Sequence, residues 1–132
     1  MKLITRDTDY ALRGICFIAQ RKGATVSVSE LVQKLKIPRP FLRKLLQILN
    51  REGLLISYKG QGGGFILGRK TRNILLVDLI KIFQGSLKLN ECLLKNRGCP
   101  NMRTCRLKKK IDAIEKYVLN QLKTITVASL VK

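Results

Sequence analysis

The chain has no histidine, and only 8 acidic residues stand against 27 lysines and arginines in its 132 residues. Without an imidazole, Ser-His-Asp and Cys-His mechanisms are excluded, and we expect no enzyme. Long apolar runs are missing as well, so no segment is expected to span a bilayer. Arg6, Asp7, Asp9 and Arg13 interrupt residues 1–20, which therefore read as neither a secretory signal nor an anchor. A reducing, cytoplasmic setting is the expectation. There, the 4 cysteines point to metal binding or redox sensing before structural disulfides. Repeats and low-complexity tracts are absent too.

What is present begins with charge. The formal net charge is +19, and its distribution is uneven. Residues 33–72 hold 10 basic side chains against the single acid Glu52, and residues 95–110 hold 7 with no acid. Such a surface repels itself unless a polyanion neutralises it, and nucleic acid is the common polyanion. With 45% hydrophobic residues the chain has material for the core of one small domain with an appended arm.

Periodicity predicts a mostly helical order. Residues 9–22 place Tyr10, Gly14, Ile15, Ile18 and Ala19 on one helical face, with Gly23 as the stop. Ser27 and Glu30 have capping-box spacing and open a short helix over residues 28–35. A turn through Ile37 and Pro38 leads to a second helix, with Pro40 at its first position, running to about Asn50. Its expected buried stripe is Phe41, Leu42, Leu45, Leu46 and Leu49, and Gly53 ends it. Two short helices joined by a tight turn form a helix-turn-helix. On the second, Arg39, Arg43, Lys44 and Gln47 fall largely off the stripe, where side chains reach base edges in a major groove.

Residues 54–57 and 65–67 are strand-like and flank a glycine-dense tip, which predicts a β-hairpin. Following a helix-turn-helix, the hairpin is a wing. Lys59, Gly60 and Gln61 lie at its tip and Arg69, Lys70 and Arg72 follow, suited to phosphates or the minor groove. No Walker-type lysine follows the glycines, so a nucleotide loop is set aside. Asn73 is expected to cap a further helix carrying Leu76, Val77, Leu79, Ile80 and Phe83 and ending at Gly85. From about Cys105 to Gln121, Leu107, Ile111, Ile114 and Val118 trace a narrow apolar seam that continues to Leu122 and Ile125. A second copy of the chain is the expected partner of that seam, in a twofold dimer. Residues 126–131 read as a short helix folding back onto the body.

The organisation expected is therefore a mainly α fold with a small β-hairpin. A winged helix-turn-helix DNA-binding domain occupies residues 1–85, a cysteine-bearing loop residues 86–104, and a long dimerisation helix with a C-terminal segment residues 105–132. Cys92, Cys99 and Cys105 fall within one short stretch, with 6 and 5 residues between them. Thiolates are soft ligands, so such a trio asks for a thiophilic metal or cluster, yet it is one ligand short. Structural zinc favours tighter knuckles. Asp9, Glu91 beside Cys92, and an external thiol or water are the candidates for the fourth place. Lys95, Arg97, Arg103 and Arg106 favour the thiolate form. Cys16 has helical spacing with Leu12 and Ala19 and reads as a core thiol.

Taken in order, Tyr10-Ala-Leu-Arg13, Val28-Ser-Glu-Leu31, Phe41-Leu-Arg-Lys-Leu45, Gly60-Gln-Gly-Gly-Gly64 with Phe65, the cysteine trio and Ile125-Thr-Val-Ala-Ser-Leu130 make a pattern. The chain resembles the bacterial iron–sulfur winged-helix transcription regulators, the group of IscR, NsrR and RirA, over essentially its whole length. The resemblance implies a homodimer on double-stranded promoter DNA, acting as a repressor, whose binding is set by an iron–sulfur cluster sensing nitric oxide, iron or cluster status, or oxygen. IscR-like members carry a histidine three residues after the last cysteine, where this chain has Lys108. NsrR-like members use an aspartate of the first helix, given by the other subunit, and Asp9 matches its place. That ligand set, Cys92, Cys99 and Cys105 with Asp9 of the partner subunit, implies a 4Fe–4S cluster over a 2Fe–2S one. Pro40 and Arg43 differ from the polar and acidic residues of IscR, so operator preference does not carry over. The rival reading is a basic RNA- or ribosome-associated protein with a zinc-stabilised or thiol-redox cysteine loop.

Overall fold

Residues 2–89 and 105–131 are described by the computed structural model of this protein. Cys92, Cys99 and Glu91, and most of the cysteine-bearing stretch, lie outside the described residues. The architecture is mainly α with one antiparallel hairpin. Its order is α1 (Arg6–Gln20), α2 (Val28–Leu35), α3 (Arg39–Arg51), β1 (Leu55–Tyr58), β2 (Gly64–Leu67), a 3₁₀ turn (Thr71–Asn73), α4 (Leu76–Gln84), α5 (Arg106–Leu122) and α6 (Val127–Leu130). This is a winged helix-turn-helix followed by a long helix.

Helix α1 begins at Arg6 rather than Asp9 because Thr5 caps it, its hydroxyl accepting the Thr8 amide. Asp7 and Asp9 consequently sit in the first turn, where negative charge offsets the free amide dipoles. Thr8 is fully buried and Gln84, the last residue of α4, satisfies it. The Gln84 Oε1 accepts from the Thr8 hydroxyl at 2.6 Å and the Thr5 amide at 2.9 Å, while Nε2 donates to the Leu3 carbonyl at 3.1 Å. The start of α1 and the end of α4 are thereby joined.

Helix α2 has the expected bounds, and the Ser27 hydroxyl accepts the Glu30 amide at 3.1 Å. The second half of the expected capping box does not form. Glu30 turns instead to an ion pair with Arg21 at the end of α1, since a guanidinium is a stronger donor than a neutral amide. Pro40 is the second residue of α3, not the first, and loses nothing there because first-turn amides have no intrahelical partner. Leu42, Leu45, Leu46 and Leu49 are buried as expected. Phe41 is not: it is 45% exposed, one step around the helix from that stripe, and the Arg6 guanidinium covers its ring at 4.9 Å.

The strands pair in the register Leu55↔Leu67, Ile56↔Ile66, Ser57↔Phe65 and Tyr58↔Gly64. Val26 adds a third short rung, its amide donating to the Phe65 carbonyl at 3.0 Å and its carbonyl accepting from the Phe65 amide at 2.8 Å. Gly64 at φ 154° fits where a β-carbon would overlap the Val26 backbone, and a β-carbon at Gly63 would lie 2.8 Å from the Gly60 carbonyl oxygen. The glycine density of the tip is thus a steric requirement as well as a conformational one.

Asn73 does not cap α4. It closes the 3₁₀ turn, and the Asp78 carboxylate instead accepts the Leu75 amide at 3.2 Å. Leu79 and Ile74 join the central core with Ala11, Ile15, Ile18, Leu31, Leu46 and Leu55. Helix α5 ends at Leu122, and Ile125 lies beyond it. The Leu76 amide donates to the Ile125 carbonyl at 3.0 Å and the Val127 amide to the Ile74 carbonyl at 2.9 Å. This backbone pairing and buried Val127 return the C-terminal segment to the body, as the sequence predicts.

Replacing Gly64 with Ala is expected to cost about 1–3 kcal/mol through backbone strain and displacement of Val26. Urea unfolding measures it; an unchanged midpoint would contradict the steric account.

Candidate nucleic-acid interface

Helix α3 carries Arg43, Gln47 and Asn50 at spacings of four and three, so they form one exposed row. That row faces the hairpin across an open groove of about 420 Å³, whose other wall includes Ser57, Tyr58 and Lys59 and whose floor includes Ser27 and Phe65. The Val26–Phe65 pairing sets the groove's width, because it ties the hairpin to the segment entering α2. Arg39 opens α3, and its Nη2 donates to the Ser29 hydroxyl on α2 at 3.0 Å. Lys44, Gly60 and Gln61 are exposed at the margins of this face, and Gly60 takes φ 93° at the tip. Arg69 is set apart: it lines a separate cleft with Glu52, Asp78 and Lys81.

Three residues of this face escaped the sequence reading. Asn50, the expected end of the helix, continues the row of Arg43 and Gln47. Tyr58, 51% exposed at the end of β1, lines the groove although its sequence position marks only the edge of the glycine loop. Ser29 has no sequence signal, because its contact to Arg39 exists only once α2 and α3 are packed.

The described acids do not line the groove. Among the described residues Asp9 pairs with Arg13 at 3.1 Å, Glu30 with Arg21, and Asp112 with Lys108 at 2.9 Å, while none of the described residues lining the groove is a carboxylate. A field of one sign therefore faces solvent along α3 and the hairpin, which attracts a polyanion and is sensitive to salt.

The described metal-ligand candidates sit on different elements. Cys105 is the N-cap of α5, half-exposed, with its Sγ accepting the Lys108 amide at 3.4 Å. Asp9 lies in the first turn of α1 and lines an open cleft of about 640 Å³ with Lys2, Arg6, Tyr10 and Leu76. Among the described residues no three histidine, cysteine, aspartate or glutamate side chains converge. Cys16 packs partly buried against the core, and burial pushes its thiol above the ordinary range, in keeping with a structural thiol.

On the apolar seam of α5, Leu107 is 64% and Ile114 52% exposed while Ile111 and Val118 are partly buried, and Tyr117 beside the seam is 66% exposed. Only Leu122 at its base is buried among the residues of that helix. No helix among the described residues is long and apolar enough to cross a membrane.

Comparison with known proteins agrees with this geometry. Residues 4–132 match the family described as Rrf2, iron-dependent transcriptional regulator. An Aquifex aeolicus protein of the HTH-type transcriptional regulator class is 31% identical, over 92% of this chain and 86% of its own. The protein rrf2 of Nitratidesulfovibrio vulgaris is 29% identical, over 100% and 88%. Among solved structures, CymR, the global cysteine regulator of B. subtilis, superposes with a TM-score of 0.80 at 25% identity, covering 99% of this chain and 97% of CymR. IscR of T. potens does so at 0.75 and 26%, covering 98% and 85%. With the family pattern matched along nearly its full length, this chain belongs to the Rrf2 family of DNA-binding transcriptional regulators.

Proposed function

We propose that the chain acts as a homodimeric repressor whose promoter binding is controlled by an iron–sulfur cluster, held by Cys92, Cys99 and Cys105 together with Asp9 of the partner subunit. The observation that carries the DNA half of this reading is the groove: an exposed row of Arg43, Gln47 and Asn50 facing Lys59 of the hairpin, with no carboxylate among its described lining. Arg39 and Arg43 read base edges in the major groove, and Arg is suited to guanine there. Lys44 and Gln47 extend that face, and Lys59, Gly60 and Gln61 meet the backbone or minor groove. Arg69, beside two carboxylates, serves phosphates at the hairpin base. The exposed seam of α5 supports the dimer, since a helix with this much uncovered apolar surface gains stability from a second copy. In domain terms, residues 1–85 read DNA, residues 86–104 carry ligands, and residues 105–132 dimerise.

The residues present fit a cluster. Cys105 offers an accessible sulfur that already accepts a backbone amide, the kind of hydrogen bond that stabilises thiolate charge. Asp9 offers a carboxylate on an open cleft, beside Arg6 and opposite no second acid in its described lining. When bound, the cluster supplies iron that responds to nitric oxide, oxygen or iron supply. Carboxylate ligation is harder than thiolate and favours a labile iron, and the resemblance to NsrR-like regulators favours 4Fe–4S over 2Fe–2S. Cys16, buried against the core, stays out of the ligand set. The family assignment favours transcription regulation over an RNA- or ribosome-associated role.

Anaerobically purified protein is expected to be brown, with iron and sulfide in near-equal amounts; a colourless preparation with stoichiometric zinc would refute the cluster. Serine at position 92, 99 or 105 should abolish the colour, serine at position 16 should not, and Asp9→Ala should shorten cluster lifetime in air. On DNA, Arg43→Ala is expected to cost about 1–3 kcal/mol and to relax preference at one position. Lys59→Ala should weaken all sequences alike and lower the salt slope by about 1. Equal losses for Arg43→Ala on selected and random duplexes would remove it as a base reader.

A further inference from the structure

We propose that the first turn of α1 is a mechanical junction, in which Arg6 positions the recognition helix α3 through its stacking on Phe41. The proposal rests on the cluster reading above for its input; its output rests on contacts within the protomer.

Arg6 and Asp9 are three residues apart on α1, on one face, and both line the same cleft. Any change in what the Asp9 carboxylate holds therefore acts on the turn that carries Arg6. The Arg6 guanidinium lies 4.9 Å from the centre of the Phe41 ring. Phe41 stands outside the leucine stripe that fixes α3 in the core, half-exposed, with the Arg6 guanidinium over its ring. Arg39 and Arg43 flank it at two residues on either side.

Two further contacts make the turn able to transmit displacement. Helix α1 packs on α3 through the core, where Ala11, Ile15 and Ile18 share a buried cluster with Leu42, Leu46 and Leu49. Helix α1 thus meets α3 along a packed core face and, outside it, at the Arg6–Phe41 stack. Loss of that outer contact leaves only the core face to orient the first turn of α3. The other side of the turn is tied by the Thr5 amide and Thr8 hydroxyl to Gln84, one residue before Gly85 and the cysteine-bearing stretch. The turn therefore moves with the end of α4 as well as with Asp9. A small rotation of α3 is enough to matter, because half-site spacing on DNA is fixed by its helical repeat.

The full-length protein tests this as Arg6→Gln, Arg6→Lys, Phe41→Leu and the Arg6→Gln/Phe41→Leu double variant. Each is measured anaerobically, cluster-loaded and cluster-stripped, on a duplex selected by the wild type from a random pool and on a random duplex. The readout is the ratio of Kd between the two forms on the selected duplex. Arg6→Gln and Phe41→Leu are expected to keep the visible spectrum but to move that ratio toward one by about fivefold or more, a typical coupling strength. The double variant should go no further than either single, and Arg6→Lys, which still stacks a cation on the ring, should retain most of the ratio. Phe41→Leu leaves the charge unaltered, so its random-duplex affinity should match the wild type. A coloured wild type with a ratio that neither single variant changes, or with additive losses in the double, overturns the junction alone. A colourless wild type, or loaded and stripped forms that bind alike, overturns the cluster reading and the junction with it.

Discussion

Two backbone hydrogen bonds between Val26 and Phe65 hold this structure in its functional shape. They connect the segment entering α2 to the second strand of the hairpin, elements otherwise separated by the whole of α3. A two-stranded ribbon is marginal in water, and these bonds add a third rung to the anchoring that buried Leu55 and Phe65 give it in the core. With them, the hairpin stands at a fixed distance from α3, and the groove lined by Arg43, Gln47 and Lys59 has a defined width. The requirement for glycine at position 64 is the steric consequence, since any β-carbon there meets the Val26 backbone.

Charge is then distributed around that frame. With 27 basic and 8 acidic residues, the placement of the few acids decides where the positive field is left open. Asp9, Glu30 and Asp112 are used in ion pairs on α1, on α2 and on α5, away from the groove. Exposed pairs of this kind contribute little to stability. Their effect lies in leaving the face of α3 and the hairpin free of local negative charge.

The two ends of the domain carry different tasks. The N-terminal turn of α1 meets α4 through Gln84 and α3 through Phe41, while the base of α5 is fixed by Leu122 and by the return of residues 125–127 onto residues 74–76. Val118 packs beside that base, while Leu107 and Ile114 further along the α5 seam are exposed. Sensor ligands proposed at Asp9 and Cys105 thus sit at the first turn of α1, which packs within the body, and at the end of α5 opposite its buried base.

Much of this was legible from residues 1–132 alone, because local chemistry dominates where it was read correctly. The helix-turn-helix, the glycine-tipped hairpin, the bounds of α2 and the returning C-terminal helix follow from apolar period, caps and turn residues, which act over a few positions. Errors arose where a distant group competes for a local one. Glu30 abandons its capping box for Arg21 and Phe41 leaves the core for Arg6, whereas Asn73 loses the cap of α4 to a local group, Asp78 in that helix's own first turn. The candidate site divides the same way. Which side chains carry charge and which are thiols is written in the sequence. That Arg43, Gln47 and Lys59 share one groove, that Arg69 lies apart from it, and that Ser29 holds Arg39 were decided only by tertiary packing, because each joins residues brought together across separate elements.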